Sequence, residues 1–269
     1  MFENSTSDSG VLRSEAYLTG ATEPDQPVNR SSELEAIEAA LQPLTRRKPA
    51  SLLIYGPAGV GKTTTANYVL EEFRRRSRVK PVSINCWKYS TRPSLYSELL
   101  IQLGYPAPRK GKPVDELLSR IREWVDKNRS VILALDEFDQ LDEKGAVVYN
   151  LYQLNQRTDN SIGFLLLSNS PPDQLDLDAR TRSRLGCTEL EFDPYSAQQL
   201  EAILRAQSEQ AFHPGTVPNE VLSRIAAHIA DQDGDCRRAL EHLLEAGRLA
   251  DRRSEREITE EILDDVLTR

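Results

Sequence analysis

Cysteine is scarce and scattered. Cys86, Cys187 and Cys236 are the only three in 269 residues. They are odd in number, far apart and without the short spacings of metal ligands, which removes a disulfide framework, a zinc site and a catalytic thiol and fits a reducing compartment. A basic excess is also missing: 42 acidic residues against 34 basic ones leave a net charge of -8. Wholesale coating of a nucleic acid is therefore excluded, and any such contact must come from a local patch. No apolar run approaches the ~18 residues that span a bilayer, and the first residues form neither a signal core nor an arginine-rich transit pattern. The expectation is a cytoplasmic protein with no membrane partner. His213, His228 and His242 stand apart from carboxylate or cysteine clusters, which leaves them surface or capping roles. No internal repeat is present.

What the chain does contain is alternation. Residues 1–24 are rich in Ser, Thr, Asp and Glu, a composition that cannot offset the entropy of ordering, and are expected to form a flexible tail. A helix follows from Ser31, with Leu34, Ile37, Leu41 and Leu44 at helical spacing and a capping-box pattern at Ser32 and Glu35. Short apolar runs predict strands over 52–55, 79–85, 131–135, 162–167 and 188–192. Helices are predicted over 62–75, 94–103, 114–126 and 144–156. That order implies an α/β domain over 25–193, a five-stranded parallel sheet flanked by helices. After Pro194 the periodicity is helical throughout, over 196–210, 218–231, 235–249 and 259–267. A small all-helical domain is expected over 194–269.

Three stretches carry chemistry. Gly56-Pro57-Ala58-Gly59-Val60-Gly61-Lys62-Thr63 fits G-x-x-x-x-G-K-[ST] and lies between a predicted strand and a predicted helix, the context that gives the pattern its meaning. Glycines allow backbone N–H groups to close around phosphates, the helix N-terminus adds positive potential, Lys62 reaches the β and γ phosphates, and the Thr63 hydroxyl suits Mg²⁺. Thr64 continues this nucleotide-contacting stretch. The strand Val131-Ile132-Leu133-Ala134-Leu135 ends in Asp136-Glu137, where Asp136 would hold Mg²⁺ and Glu137 would polarise an attacking water. Asn169 follows the run 164–167 and would lie at the carboxyl edge of the sheet, placed to orient that water.

These motifs, in this order, resemble the archaeal origin-recognition and Cdc-type initiators, in the initiator and clamp-loader branch of AAA+ proteins. The likeness runs over 27–269. It is carried by Pro27-Val28-Asn29-Arg30, the glycine loop, Ser83-Ile84-Asn85-Cys86, Asp136-Glu137-Phe138-Asp139, Leu167-Ser168-Asn169-Ser170, Arg182-Ser183-Arg184-Leu185-Gly186 and Gly234-Asp235-Cys236-Arg237-Arg238. The resemblance implies an AAA+ P-loop fold with a helical lid, ATP or ADP with Mg²⁺, slow hydrolysis stimulated by assembly, and a nucleotide-gated role in replication initiation. It makes Arg184 an arginine finger toward a neighbouring AAA+ subunit and Arg237 a sensor on the lid, with Arg238 as the weaker choice. It also implies duplex DNA as a partner through local patches. The segment 88–104, with Lys88, Arg92 and Tyr96, matches a part of the family that deforms DNA, although Leu95, Leu99, Leu100 and Leu103 equally form a plain buried helix face. The run Arg74-Arg75-Arg76, with Arg78 and Lys80, reads either as a DNA patch or, more simply, as a solvated helix C-terminus favoured by the helix dipole. Trp87 and Trp124 are expected in the core. The family continues past the lid into a winged-helix domain, whereas this sequence stops at Arg269, so the resemblance is without that module. A nucleotide-bound interaction module with negligible turnover, and a clamp-loader or transposition ATPase, share the motifs.

Overall fold

Five strands, β1 (Ser51–Tyr55), β2 (Lys80–Asn85), β3 (Val131–Asp136), β4 (Ile162–Ser168) and β5 (Thr188–Glu191), pair in parallel in the order β2-β3-β4-β1-β5. The computed structural model describes residues 10–22, 26–105 and 111–268. β3 and β4 are buried along nearly their whole length, which is why their sequences read as unbroken apolar runs rather than alternating ones. Consecutive parallel strands need a crossover, and helices supply it. These are α1 (Ser31–Leu41), α2 (Lys62–Arg76), α3 (Arg92–Leu103), α4 (Val114–Lys127), α5 (Lys144–Asn155) and the short α6 (Ala179–Leu185).

One face of the sheet packs Leu53, Val82, Ile84, Leu133, Leu135, Phe164 and Leu166 against Leu95 and Leu99 of α3, Ile121 and Val125 of α4 and Leu151 of α5. Each such buried aliphatic side chain contributes roughly 1.5–3 kcal/mol. The alternate residues Leu52, Ile54, Ile132 and Leu165 are equally buried and point to the other face, the side of α1 and α2. The strand order sets β4 between β1 and β3. The three carboxyl ends that carry Gly56, Asp136 and Asn169 are therefore adjacent.

The second unit consists of Met1–Asn29, Ala58–Gly61 and Asp193–Arg269; the first is Arg30–Pro57 with Lys62–Phe192. Its helices are α7 (Ala197–Ala211), α8 (Asn219–Ala230), α9 (Cys236–Arg253) and α10 (Glu260–Leu267). Local signals set their starts: Ser196 and Gln199 form a capping box, Asp235 accepts from the N–H groups of Arg237 and Arg238, and Thr259 accepts from Ile262. Leu200, Leu204, Leu222, Ile225, Leu243 and Leu263 form its core.

Several expectations need correction. The tail expected over 1–24 is docked where it is described: Val11 and Leu18 are buried in the helical core, and Leu12 bridges Phe212. The N–H groups of Arg13 and Ser14 donate to the Ala211 carbonyl, the N–H of His213 donates to Val11, and the N–H of Val11 donates to Asp251 at 2.6 Å. Two apolar anchors and this row of backbone bonds outweigh the polar composition; residues 1–9 and 23–25 lie outside the described ones. The capping box expected at Ser32 is not formed. Helix α1 starts at Ser31, as expected, but Arg30 and not Ser32 stands at its cap position, with no side-chain cap bond, and Ser32 donates to Glu33. Trp87, expected in the core, is 73% exposed, while Trp124 packs against the core. Tyr96 is fully buried among the α3 leucines, so it is a core residue and not a wedge. Helix α6 has no counterpart in the expectations, because seven residues with two buried side chains carry too little periodicity to read.

Candidate functional site

The turn from β1 to α2 is built by backbone conformations that side chains resist. Gly56, Gly59 and Gly61 have φ of 149°, 72° and 86°. A Cβ on Gly56 would stand 2.3 Å from the Phe192 carbonyl oxygen, and one on Gly59 would stand 1.7 Å from a carboxylate oxygen of Asp235. Both positions are open to glycine alone. Within the helical unit the Gly59 carbonyl accepts from the N–H of Cys236 at 3.2 Å.

Lys62, 7% exposed, opens α2 and donates from Nζ to the Gly56 carbonyl (2.7 Å), the Pro57 carbonyl (2.6 Å) and Oδ1 of Asn169 (2.9 Å). The lysine thus ties the glycine turn to the end of β4. Thr63 donates from Oγ1 to both carboxylate oxygens of Asp136 at 3.2 Å. Burial pushes the Asp136 carboxyl above its ordinary range, only partly opposed by the hydrogen bond from Thr63. A cation of high charge density would relieve that burial penalty, and one hydroxyl beside one carboxylate is a donor set that suits Mg²⁺.

Glu137 occupies the left-handed region at φ 54°, and its Oε2 accepts from Nδ2 of Asn85 at 3.0 Å. Register explains this contact, since Asn85 at the end of β2 pairs with Asp136. The N–H of Asn169 donates to Asp139 at 3.1 Å. Lys62, Thr63, Asp136, Glu137, Asn169 and Asn85 are thus linked at one end of the sheet. A lysine, a hydroxyl next to a buried carboxylate and a second held carboxylate are the groups that phosphoryl chemistry uses. Cys86, whose N–H donates to the Asp136 carbonyl, has its thiol pushed up to about 12 by burial and neighbouring acids. No thiolate chemistry arises there.

The remaining candidates make contacts of their own. Arg184, half-buried in the last turn of α6, places its guanidinium 4.9 Å from the centre of the Tyr149 ring. Arg237 is exposed in the first turn of α9, whereas Arg238 is committed to Asp233 at 2.6 Å and to Gln232. Of the residues in the DNA-deforming match, Arg92 pairs with Glu143 at 2.7 Å and Lys88 lies over Tyr89. Arg74, Arg75 and Arg76 pair with Glu71 and Glu72. Asn85, Asp139 and Tyr149 were not among the candidate site residues. Asn85 and Asp139 each stand in a motif that carries the resemblance, whereas Tyr149 has no signal in the sequence.

Residues 45–170 match the AAA domain family model, and residues 201–266 match that of the Cdc6 AAA+ ATPase-type lid domain. The chain is 33% identical over 266 residues to an ORC1-type DNA replication protein 1 of Aeropyrum pernix, covering 94% of this chain and 67% of that protein. The chain belongs to the ORC1-type, Cdc6-like AAA+ family. The ORC1-type DNA replication protein of Pyrococcus abyssi is 31% identical over 274 residues, covering 97% of this chain and 65% of its own length. The chain thus spans about two thirds of the length of the curated ORC1-type relatives it matches. Among solved structures, that of the Aeropyrum pernix ORC1 protein in complex with DNA superposes with a TM-score of 0.85 at 32% identity, over 96% of this chain and 69% of that one. Membership of the AAA+ class implies a nucleotide site, usually with Mg²⁺. Among the described residues no helix is long and apolar enough to cross a membrane.

Proposed function

We propose that this chain binds and hydrolyses ATP and acts as a nucleotide-gated switch on duplex DNA in replication initiation, in the manner of an ORC1-type AAA+ protein. The observation that carries the reading is the linked group of Lys62, Thr63, Asp136, Glu137, Asn169 and Asn85 at the carboxyl ends of β1, β3, β4 and β2.

Each residue has a role that its surroundings support. The N–H groups of the glycine turn and the N-terminus of α2 face anionic oxygens, and Lys62 exchanges its three present acceptors for phosphate. Thr63 and Asp136 hold Mg²⁺, which when bound offsets phosphate charge and orients the transferred group. Glu137 takes a proton from the attacking water, and Asn169 orients that water. Arg184 acts in trans on a neighbouring subunit, held against Tyr149 in the unassembled chain. Arg237 is the sensor arginine of the lid. The relatives are named DNA replication proteins, and the solved ORC1 neighbour is described in complex with DNA; a DNA-contacting role here is taken from that likeness.

The test is hydrolysis of γ-labelled ATP by the parent chain and by Glu137→Gln, with nucleotide binding followed in parallel. Turnover that falls by two orders of magnitude or more, with binding retained, is expected. Unchanged turnover removes Glu137 from its role.

A further inference from the structure

A parallel sheet gathers all strand starts at one edge, opposite the edge that carries Lys62 and Asp136. On the four adjacent strands β2, β3, β4 and β1 that edge is strongly cationic. The loop before β1 holds Arg46, Arg47 and Lys48; Arg78 precedes β2, whose first residue is Lys80; Arg129 precedes β3, and Arg157 precedes β4. All except Lys80, which is half-buried, are exposed.

Hydrogen bonds stitch these loops together. The N–H of Lys80 donates to the Ser130 carbonyl, that of Val131 to the Ser161 carbonyl, and that of Ser161 to the Ser130 hydroxyl. The Ser161 hydroxyl then donates at 2.8 Å to the carbonyl of Arg47, itself in the left-handed conformation. The row is therefore held in one arrangement.

Helix C-termini normally carry basic residues, which the helix dipole favours, but that effect fades beyond the last turn. Here the two populations separate. Arg74, Arg75 and Arg76 of α2 and Lys127 of α4 lie in last turns and pair with Glu71, Glu72 and Glu123. Arg46 ends a short 3-10 helix, and the other six lie beyond the α-helical ends; among the described residues none of the seven has a carboxylate in salt-bridge range. Asp126 is paired with Arg122, so Asp159 is the acid left to oppose them in these loops. An edge this cationic on a chain of net charge -8 is a segregated charge.

We propose that this edge is a second contact surface for duplex nucleic acid, which grips the phosphate backbone without reading sequence. Four strands at about 4.8 Å spacing set the outer cations roughly 14 Å apart, comparable with a major groove about 12 Å wide, so the row can face phosphates on both sides of it. Single-stranded nucleic acid would call for aromatic platforms, and a membrane surface for apolar anchors. Among the described residues the exposed large apolar ones, Trp87 and Tyr149, lie after β2 and in α5 rather than in these loops. The inference rests on the reading that this chain contacts DNA, and adds a surface remote from the nucleotide end.

The test is fluorescence anisotropy of a random-sequence 25-base-pair duplex over a salt series, using the full chain, the variant Arg47→Ala/Lys48→Ala/Arg78→Ala/Arg129→Ala, and a charge-matched control, Lys112→Ala/Arg205→Ala/Arg224→Ala/Arg253→Ala. Every cation withdrawn from a phosphate should flatten the slope of log affinity against log salt by about 0.9. A slope shallower by roughly three to four units in the edge variant, with the control slope and ATP-analogue binding both unchanged, is expected. A slope equal to the parent's, or an equal flattening in the control, overturns the surface while leaving the DNA reading standing. Weakening seen only with single strands or with phosphatidylserine vesicles overturns it in favour of those ligands. A parent that binds no duplex at all fails the DNA reading, and with it this surface.

Discussion

The amide of Asn85 donates to Oε2 of Glu137 at 3.0 Å, joining the end of β2 to the acid that follows β3. Glu137 sits in a left-handed backbone conformation that a glutamate does not favour, so this bond helps to determine where its carboxylate points. Asn85→Ala should lower ATP turnover about tenfold, a loss of the size of one hydrogen bond to a charged group, with unchanged affinity for nucleotide. Asn85→Asp should lower it further, because two carboxylates would then face each other. Steady-state kcat and analogue binding, measured together, separate positioning from loss of the site.

Lys62 is nearly buried and donates to two loop carbonyls and Asn169. Lys62→Ala should weaken a fluorescent ATP analogue by at least an order of magnitude, the expected scale for a charged hydrogen bond removed from phosphate. Retained affinity in a titration would take the lysine out of the phosphate site.

Gly59 and Gly20 share φ near 72°, but a Cβ at Gly59 strikes the Asp235 carboxylate while one at Gly20 meets open space. Gly20→Ala should therefore cost only the conformational strain, about 1–2 kcal/mol, and leave nucleotide binding intact. Gly59→Ala should distort the turn and abolish binding. Urea unfolding and analogue titration of both variants make the comparison.

Burial holds the Asp136 carboxyl above its ordinary value of 3.8. The folded chain then retains this proton more tightly than the unfolded chain. Its stability contribution is lost as pH rises from the ordinary value through the raised one, and the full cost remains above both. Asp136→Asn should raise the ligand-free melting temperature at pH 7 and not at pH 3, and should abolish the effect of Mg²⁺ on nucleotide affinity. Scanning calorimetry at the two pH values, with Mg²⁺ titrations, checks both halves.

Leu18 is 3% exposed in the helical unit, although it belongs to the stretch with the most polar composition. Leu18→Ala should cost about 2–5 kcal/mol. Glu15→Ala, which removes an exposed ion pair with Arg248, should cost under about 1 kcal/mol. Denaturant midpoints that reverse this order would mean the segment is not part of the core.

The legible parts of this molecule were those whose causes are local. Val131 to Leu135 read as a strand because five apolar residues end in two acids, and the glycine turn read as a phosphate loop because its spacing admits few alternatives. What escaped reading depends on contacts between distant positions. Asn85 meets Glu137 across 52 residues, and Tyr149 meets Arg184 only because α5 and α6 are brought together. Trp87 was assigned to the core on its size, while its position just past the end of β2 leaves it in solvent. Tyr96 shows the reverse: its neighbours Leu95 and Leu99 carry it inward, and Asn150 donates to its hydroxyl there.

The docking of Val11 on Asp251 spans 240 residues, which imposes an order on biosynthesis. Residues 10–22 leave the ribosome early, but their partners Ala211, His213 and Asp251 follow roughly ten to fifty seconds later at ordinary translation rates. For that interval Val11 and Leu18 remain uncovered while the sheet can already assemble. The last structure to close therefore includes the first segment made, and recombinant versions trimmed at residue 25 would deprive the nascent helical unit of its final apolar pieces.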